Sequence, residues 1–167
     1  LNDGVHSTRA LNAVRELFTT IDQKKCVVYQ FIASGSQDKS VYQETMKAIM
    51  RHIRTKCRAE YIGAYEVGEE KNGLHIHAFV IIETVDHFPS DLLDVSEGAF
   101  LDRLRKRKKI SLRIEPPKNR MHGGAMFARM NTPVKLENCI NWATYILKSR
   151  SKGNVPGRET YFGSEFV

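Results

Sequence analysis

Cysteine, long apolar runs and repeats are what this chain has least of, and each shortage closes off a class of protein. Its three cysteines, Cys26, Cys57 and Cys139, lie far apart and form no CxxC pair. A disulfide framework and a Cys-rich structural zinc site are excluded, so the three read as reduced thiols of a cytosolic protein. No apolar run approaches the ~20 residues that a membrane-spanning helix needs, and no charged-then-apolar leader opens the sequence. Leu1 stands where a start Met would, which leaves room for a longer parent chain. Repeats and low-complexity linkers are missing too, so the 167 residues are expected to form a single domain. With 41% hydrophobic residues, that domain can build a core without staples.

What is abundant is positive charge. The net charge is +7 and the pI about 9.4, which points to a polyanionic partner. The charge is clustered: Arg103, Arg105, Lys106, Arg107, Lys108 and Lys109 form one block, and Arg51, Arg54, Lys56 and Arg58 a second. Lys148, Arg150 and Lys152 form a third. A basic run alone is usually a solvated face; three of them favour nucleic acid.

Apolar spacing predicts a helix from Ser7 to about Asp22 through Leu11, Val14, Leu17, Phe18 and Ile21. A β-rich run from Lys25 to Ala33 follows, then a helix opened by Ser40 and carrying Met46, Ile49, Met50 and Ile53. Tyr61–Val67 and Leu74–Glu83 read as two arms of a hairpin around Asn72-Gly73. A short basic helix over Ala99–Lys109, a strand over Ile110–Glu115 and a helix over Leu136–Lys148 complete the elements. Lys118–Pro133 is expected to be loop, and residues from about 153 to 167 a glycine-punctuated tail. This order predicts an α+β fold with a central antiparallel sheet of about four to five strands, ferredoxin-like, with helices packed on it.

The hairpin carries His75-Ile76-His77. Residues two apart on a strand share a face, so both imidazoles point the same way, about 7 Å apart along the backbone. Glu66 lies on the other arm, on a face shared with Ile62 and Ala64, and gives a two-His, one-carboxylate set within cross-strand reach. Glu69 and Glu70, in the turn, are alternative third ligands. Mixed nitrogen and oxygen donors suit Mn²⁺ or Mg²⁺, and also Zn²⁺. An antiparallel sheet can leave one face open, so such a metal would be reachable by a large substrate.

On the last helix, Leu136, Ile140, Ala143 and Leu147 form an apolar stripe, with Asn141, Tyr145 and Lys148 beside it. Tyr145 in that setting is ordinarily a packing residue, and phenol is a poor nucleophile near neutral pH, since its pKa is about 10. A metal that polarises a phosphodiester and a cation such as Lys148 would change that. Trp142 reads either as core or as a platform for single-stranded bases.

Together these residues resemble the HUH endonuclease superfamily: rolling-circle replication initiators, relaxases and single-strand transposases. His75-Ile76-His77 is similar to its His-hydrophobic-His motif, Tyr145-Ile146-Leu147-Lys148 to the Tyr-x-x-Lys motif of its initiators, and Tyr65-Glu66-Val67-Gly68-Glu69 to a segment donating the third ligand. The resemblance spans about Lys25 to Lys148. It implies that Tyr145 attacks a phosphate held at a metal on His75, His77 and Glu66. The product would be a 5′-phosphotyrosine and a free 3′-hydroxyl, resealed by reversal. It implies a single-tyrosine class, with single-stranded or hairpin origin DNA as substrate and host helicase and polymerase as partners. The setting would be the cytoplasm of a cell hosting a phage, plasmid or other mobile element. Arg103, Arg105, Lys106, Arg107, Lys108, Lys109, Arg150 and Lys152 would contact DNA. No GxxxxGK[ST] occurs, so no helicase domain is expected in this chain. A DNA-binding module without catalysis and a hydrolase of small phosphoesters are the rival readings.

Overall fold

The computed structural model describes residues 3–68, 73–84, 99–117, 126–147 and 161–164, with side chains of the first helix from residue 11. Helix α1 spans Asp3–Thr20 and strand β1 Cys26–Ser34. Helix α2 spans Lys39–Arg54, and β2 (Ala59–Val67) and β3 (Leu74–Glu83) form the expected hairpin. Then come α3 (Ala99–Lys108), β4 (Ser111–Glu115), β5 (Ala128–Arg129), α4 (Pro133–Leu147) and β6 (Tyr161–Gly163).

Local chemistry sets the helix ends. Asp38, two residues before the expected Ser40, caps α2: its carboxylate accepts from the Ser40 backbone N–H at 2.9 Å. Helix α4 starts three residues earlier than apolar spacing predicts, because the Thr132 hydroxyl accepts from Lys135 N–H at 3.2 Å and Pro133 sits at the first helical position. At the end of α1, the Gln23 side-chain amide donates to the Phe18 carbonyl at 3.2 Å, and the helix stops at Thr20 instead of reaching Asp22.

The sheet order is β4-β1-β3-β2-β6, with β5 pairing β1 beside β4, and every pairing is antiparallel. The sequence β1-α2-β2-β3-α3-β4 with β3 between β1 and β2 is a ferredoxin-like split βαβ arrangement, as the α+β reading expected. Two short strands add to it: β5 lies in the expected loop and β6 in the expected tail.

Alternation along β3 divides the core in two. Ile76, Ala78, Val80 and Ile82 face α2 and α3, where they meet Met46, Ile49, Ile53, Leu101 and Leu104. Phe79 and Ile81 face the other way and meet α1 and α4 through Leu17, Phe18, Ile140, Trp142 and Ala143. A ferredoxin-like core with both its helices on one face leaves the second face bare. Here α1 and α4 cover the Phe79–Ile81 end of that second face, and its other end carries the histidines.

The three cysteines are unpaired, with Cys26 and Cys139 buried. No helix among the described residues is long and apolar enough to cross a membrane.

Candidate metal centre on the sheet

The strand register builds the centre. Glu66 is the direct cross-strand partner of His75, and Ala64 that of His77. Glu66 therefore reaches both rings: Oε1 lies 3.8 Å from His75 Nε2 and Oε2 3.5 Å from His77 Nε2. The three side chains are only 13–17% exposed, and one ligand atom from each falls within a common 4.8 Å. Donors sharing an ion at 2.0–2.2 Å stand roughly 3–3.5 Å apart, so small side-chain rotations would close this set on a metal. The Glu66–His75–His77 cluster could hold a metal ion. Glu69 and Glu70, the alternative ligands, lie outside the described residues.

Each ring is held from behind. His75 Nδ1 is 3.3 Å from the Gly73 carbonyl, which can only accept, so the ring donates there and presents an Nε2 lone pair to the cluster. His77 Nδ1 is 3.2 Å from the side-chain Nε2 of Gln30 on β1. Gln30 is 1% exposed, the one amide in an otherwise apolar strand centre. Its role was missed from sequence, although a Gln inside Val27-Val28-Tyr29-Gln30-Phe31-Ile32 was the signal.

A cavity of about 430 Å³ opens beside the two histidines on the β4 side, lined also by Ser34, Gln37, Ser111 and Arg113. Arg113 is register partner of Ile32, itself partner of His77, so all three share the histidine face. Its guanidinium pairs with Glu115 two residues on. This cation too was missed: an alternating Ser111-Leu112-Arg113-Ile114-Glu115 is an edge strand like many others.

Tyr145 is on α4, which packs on the same face as the centre. The helix leaves β5, where the Cys139 thiol donates to the Arg129 carbonyl at 3.4 Å. It then lays Trp142 edge-on against Phe79, with ring centroids 4.9 Å apart. Phe79 is the next residue after His77 on that strand face. Tyr145 follows three residues after Trp142 and is 68% exposed. Among the described residues, no hydrogen bond joins Tyr145 to the cluster. Trp142 is core and does not offer a platform for bases. Lys148, Arg150 and Lys152 lie outside the described residues.

The Arg103–Lys109 block is not gathered around the centre. Helix α3 packs through Leu101 and Leu104 against the opposite face of the sheet. Within it, Lys106 pairs with Asp102 at 3.1 Å, Lys108 with Glu44 at 2.7 Å, and Arg105 Nε donates to the Leu112 carbonyl. Only the C-terminal end of α3 approaches the centre, since Ser111 pairs with Ser34 and Ser34 with His75. Arg103, Arg107 and Lys109 are exposed. His52 stacks on Phe100 at 4.0 Å and is a packing residue.

Neither protein-family models, curated proteins nor solved structures match this chain. Geometry and chemistry alone speak for the site.

Proposed function

We propose that this chain is a metal-dependent single-stranded DNA endonuclease and strand transferase of the HUH type, initiating rolling-circle replication. The observation that carries the reading is the Glu66–His75–His77 donor set on the sheet face that also carries the Tyr145 helix. A divalent ion held there, Mn²⁺ or Mg²⁺ with Zn²⁺ as a further candidate, would polarise the phosphoryl oxygen of a scissile phosphodiester.

This chain's own groups do the rest. The cavity beside the histidines accommodates the sugar-phosphate, and Arg113 adds a cation on the β4 side. The Tyr145 phenolic oxygen forms a bond to phosphorus as the bond from phosphorus to the 3′ oxygen breaks. Its proton passes to solvent, and the departing oxygen takes up a proton to become a 3′-hydroxyl. The DNA is left as a 5′-phosphotyrosine ester that the same hydroxyl can reverse. Lys148, three residues on in the sequence, would steady the negative charge. A strand entering from the exposed C-terminal end of α3, over the β4 edge, would pass Arg107, Lys109 and Arg113 on its way to the histidines.

The exposure of Tyr145 and its lack of a hydrogen bond to the cluster favour one second reading, a DNA-binding module of this fold in which the tyrosine does no chemistry. A labelled single-stranded origin oligonucleotide incubated with the protein and Mn²⁺ separates the two. The nicking reading predicts an adduct that survives denaturation, and the binding reading predicts a complex that does not. Host cytoplasm as the setting, and host helicase and polymerase as partners, belong to the nicking reading.

A further inference from the structure

We infer that Gln30 is the positioning residue for His77, and that its side-chain amide turns over when the centre takes up a metal. The inference rests on the reading of Glu66, His75 and His77 as a metal site.

The two histidines are held by unlike neighbours. Behind His75 stands a carbonyl oxygen, so its Nδ1 carries the hydrogen and its Nε2 is ready to ligate. Behind His77 stands an amide nitrogen, a donor only, so its Nδ1 must accept and its hydrogen sits on Nε2, pointing at Glu66. That tautomer suits the metal-free centre, where the Nε2–H serves the carboxylate. It blocks ligation, because the lone pair a metal would take is on the wrong nitrogen.

Gln30 holds the remedy in its own side chain. Its Oε1 is buried and has no hydrogen-bond partner among the described residues, an unfavourable state for a buried acceptor. Rotating the amide by half a turn swaps oxygen for nitrogen in nearly the same shape. Oε1 then accepts from His77 Nδ1–H, and Nε2 of the ring faces the metal with its lone pair. No net proton is released: the ring loses the hydrogen at Nε2 and gains one at Nδ1. Glu115, whose carboxylate can only accept and is paired with Arg113, is the direct register partner of Gln30 on β4. In the present orientation that carboxylate offers the Gln30 carbonyl nothing.

The test measures metal binding alone, by titration of Mn²⁺ into wild type, Gln30→Leu and Gln30→Glu, with thermal unfolding as the check that each is folded. Wild type binds; Gln30→Leu, apolar and of similar volume, binds about 10- to 100-fold more weakly. Gln30→Glu, an acceptor in either orientation, binds at least as tightly as wild type. Nitrogen-15 spectra of the histidines report the tautomer: His77 changes from Nε2–H to Nδ1–H on adding Zn²⁺, whereas His75 is Nδ1–H throughout. If folded Gln30→Leu binds Mn²⁺ as wild type does, or His77 keeps its Nε2–H with Zn²⁺ bound, the role of Gln30 is overturned while the metal site stands. If wild type binds neither ion, the metal site itself fails and the inference falls with it.

Discussion

Glu66 faces His75 directly across the β2–β3 ladder, and its second carboxylate oxygen reaches His77 at 3.5 Å. One side chain thus spans both imidazoles. Glu66→Ala should weaken Mn²⁺ binding about 100-fold, near 2.7 kcal/mol, with unfolding temperature nearly unchanged in metal-free buffer. Calorimetric titration checks it; unchanged affinity would pass the ligand role to Glu69 or Glu70.

Gly63 lies beneath the Phe162 ring, and a Cβ added there would fall 2.3 Å from Phe162 Cζ and 2.8 Å from the His77 carbonyl oxygen. Phe162 can swing aside but the strand backbone cannot. Gly63→Ala should destabilise the fold by about 1–3 kcal/mol and weaken metal binding through displacement of His77. Urea unfolding and Mn²⁺ titration measure the two effects; a variant as stable as wild type would show that β6 does not press on the hairpin.

The hairpin and its ligands were legible because a strand has one period. Once Leu74–Glu83 is a strand, His75 and His77 must share a face, and a tight hairpin puts Glu66 opposite. Helix α2 was equally legible, since Met46, Ile49, Met50 and Ile53 recur at helical spacing. Strands β5 and β6 were not, because two or three residues carry no periodicity and their order comes from pairing with β1 and β2. Gln30 and Arg113 reach the centre from separate strands, and only the sheet order β4-β1-β3 brings them beside His77. The Arg103–Lys109 run announced its charge, but which face of the sheet α3 would cover is set by Leu101 and Leu104 meeting α2. Lys148, Arg150 and Lys152 lie outside the described residues.

Burial pushes the Cys26 and Cys139 thiols up from their ordinary 9.0 to about 12. Both should stay unmodified by a thiol-specific disulfide reagent at pH 8 in the folded protein and react fully in urea. The pH dependence has a definite sign. A group with a raised folded pKa contributes its stability below the unfolded pKa and loses it as pH rises through the folded one. Stability should therefore fall between about pH 9 and 12, and substituting both thiols with Ala should flatten that decline. Rapid labelling at Cys26 or Cys139 in the native protein, as distinct from the half-buried Cys57, would contradict their packing.

Arg113 is the cation that shares the cavity with the histidines. Arg113→Ala should weaken single-stranded DNA binding and reduce the salt slope by about one, and leave Mn²⁺ affinity as it was. Arg51→Ala, an exposed residue of α2 on the opposite face of the sheet, should cost less single-stranded DNA affinity. Fluorescence anisotropy across a salt series reads both. Equal losses for the two would argue against a strand path over the β4 edge.

The central claim is that the metal centre serves Tyr145. The measurement that reaches it most directly is denaturing electrophoresis of wild type, Tyr145→Phe and His75→Ala after incubation with labelled single-stranded origin DNA and Mn²⁺. The account predicts a covalent protein–DNA band for wild type, none for Tyr145→Phe, a loss of about 100-fold or more for His75→Ala, and no band when the metal is chelated. A band that persists in Tyr145→Phe would contradict the assigned nucleophile. No band from wild type on any origin strand that it binds would contradict the nicking reading and leave a DNA-binding module.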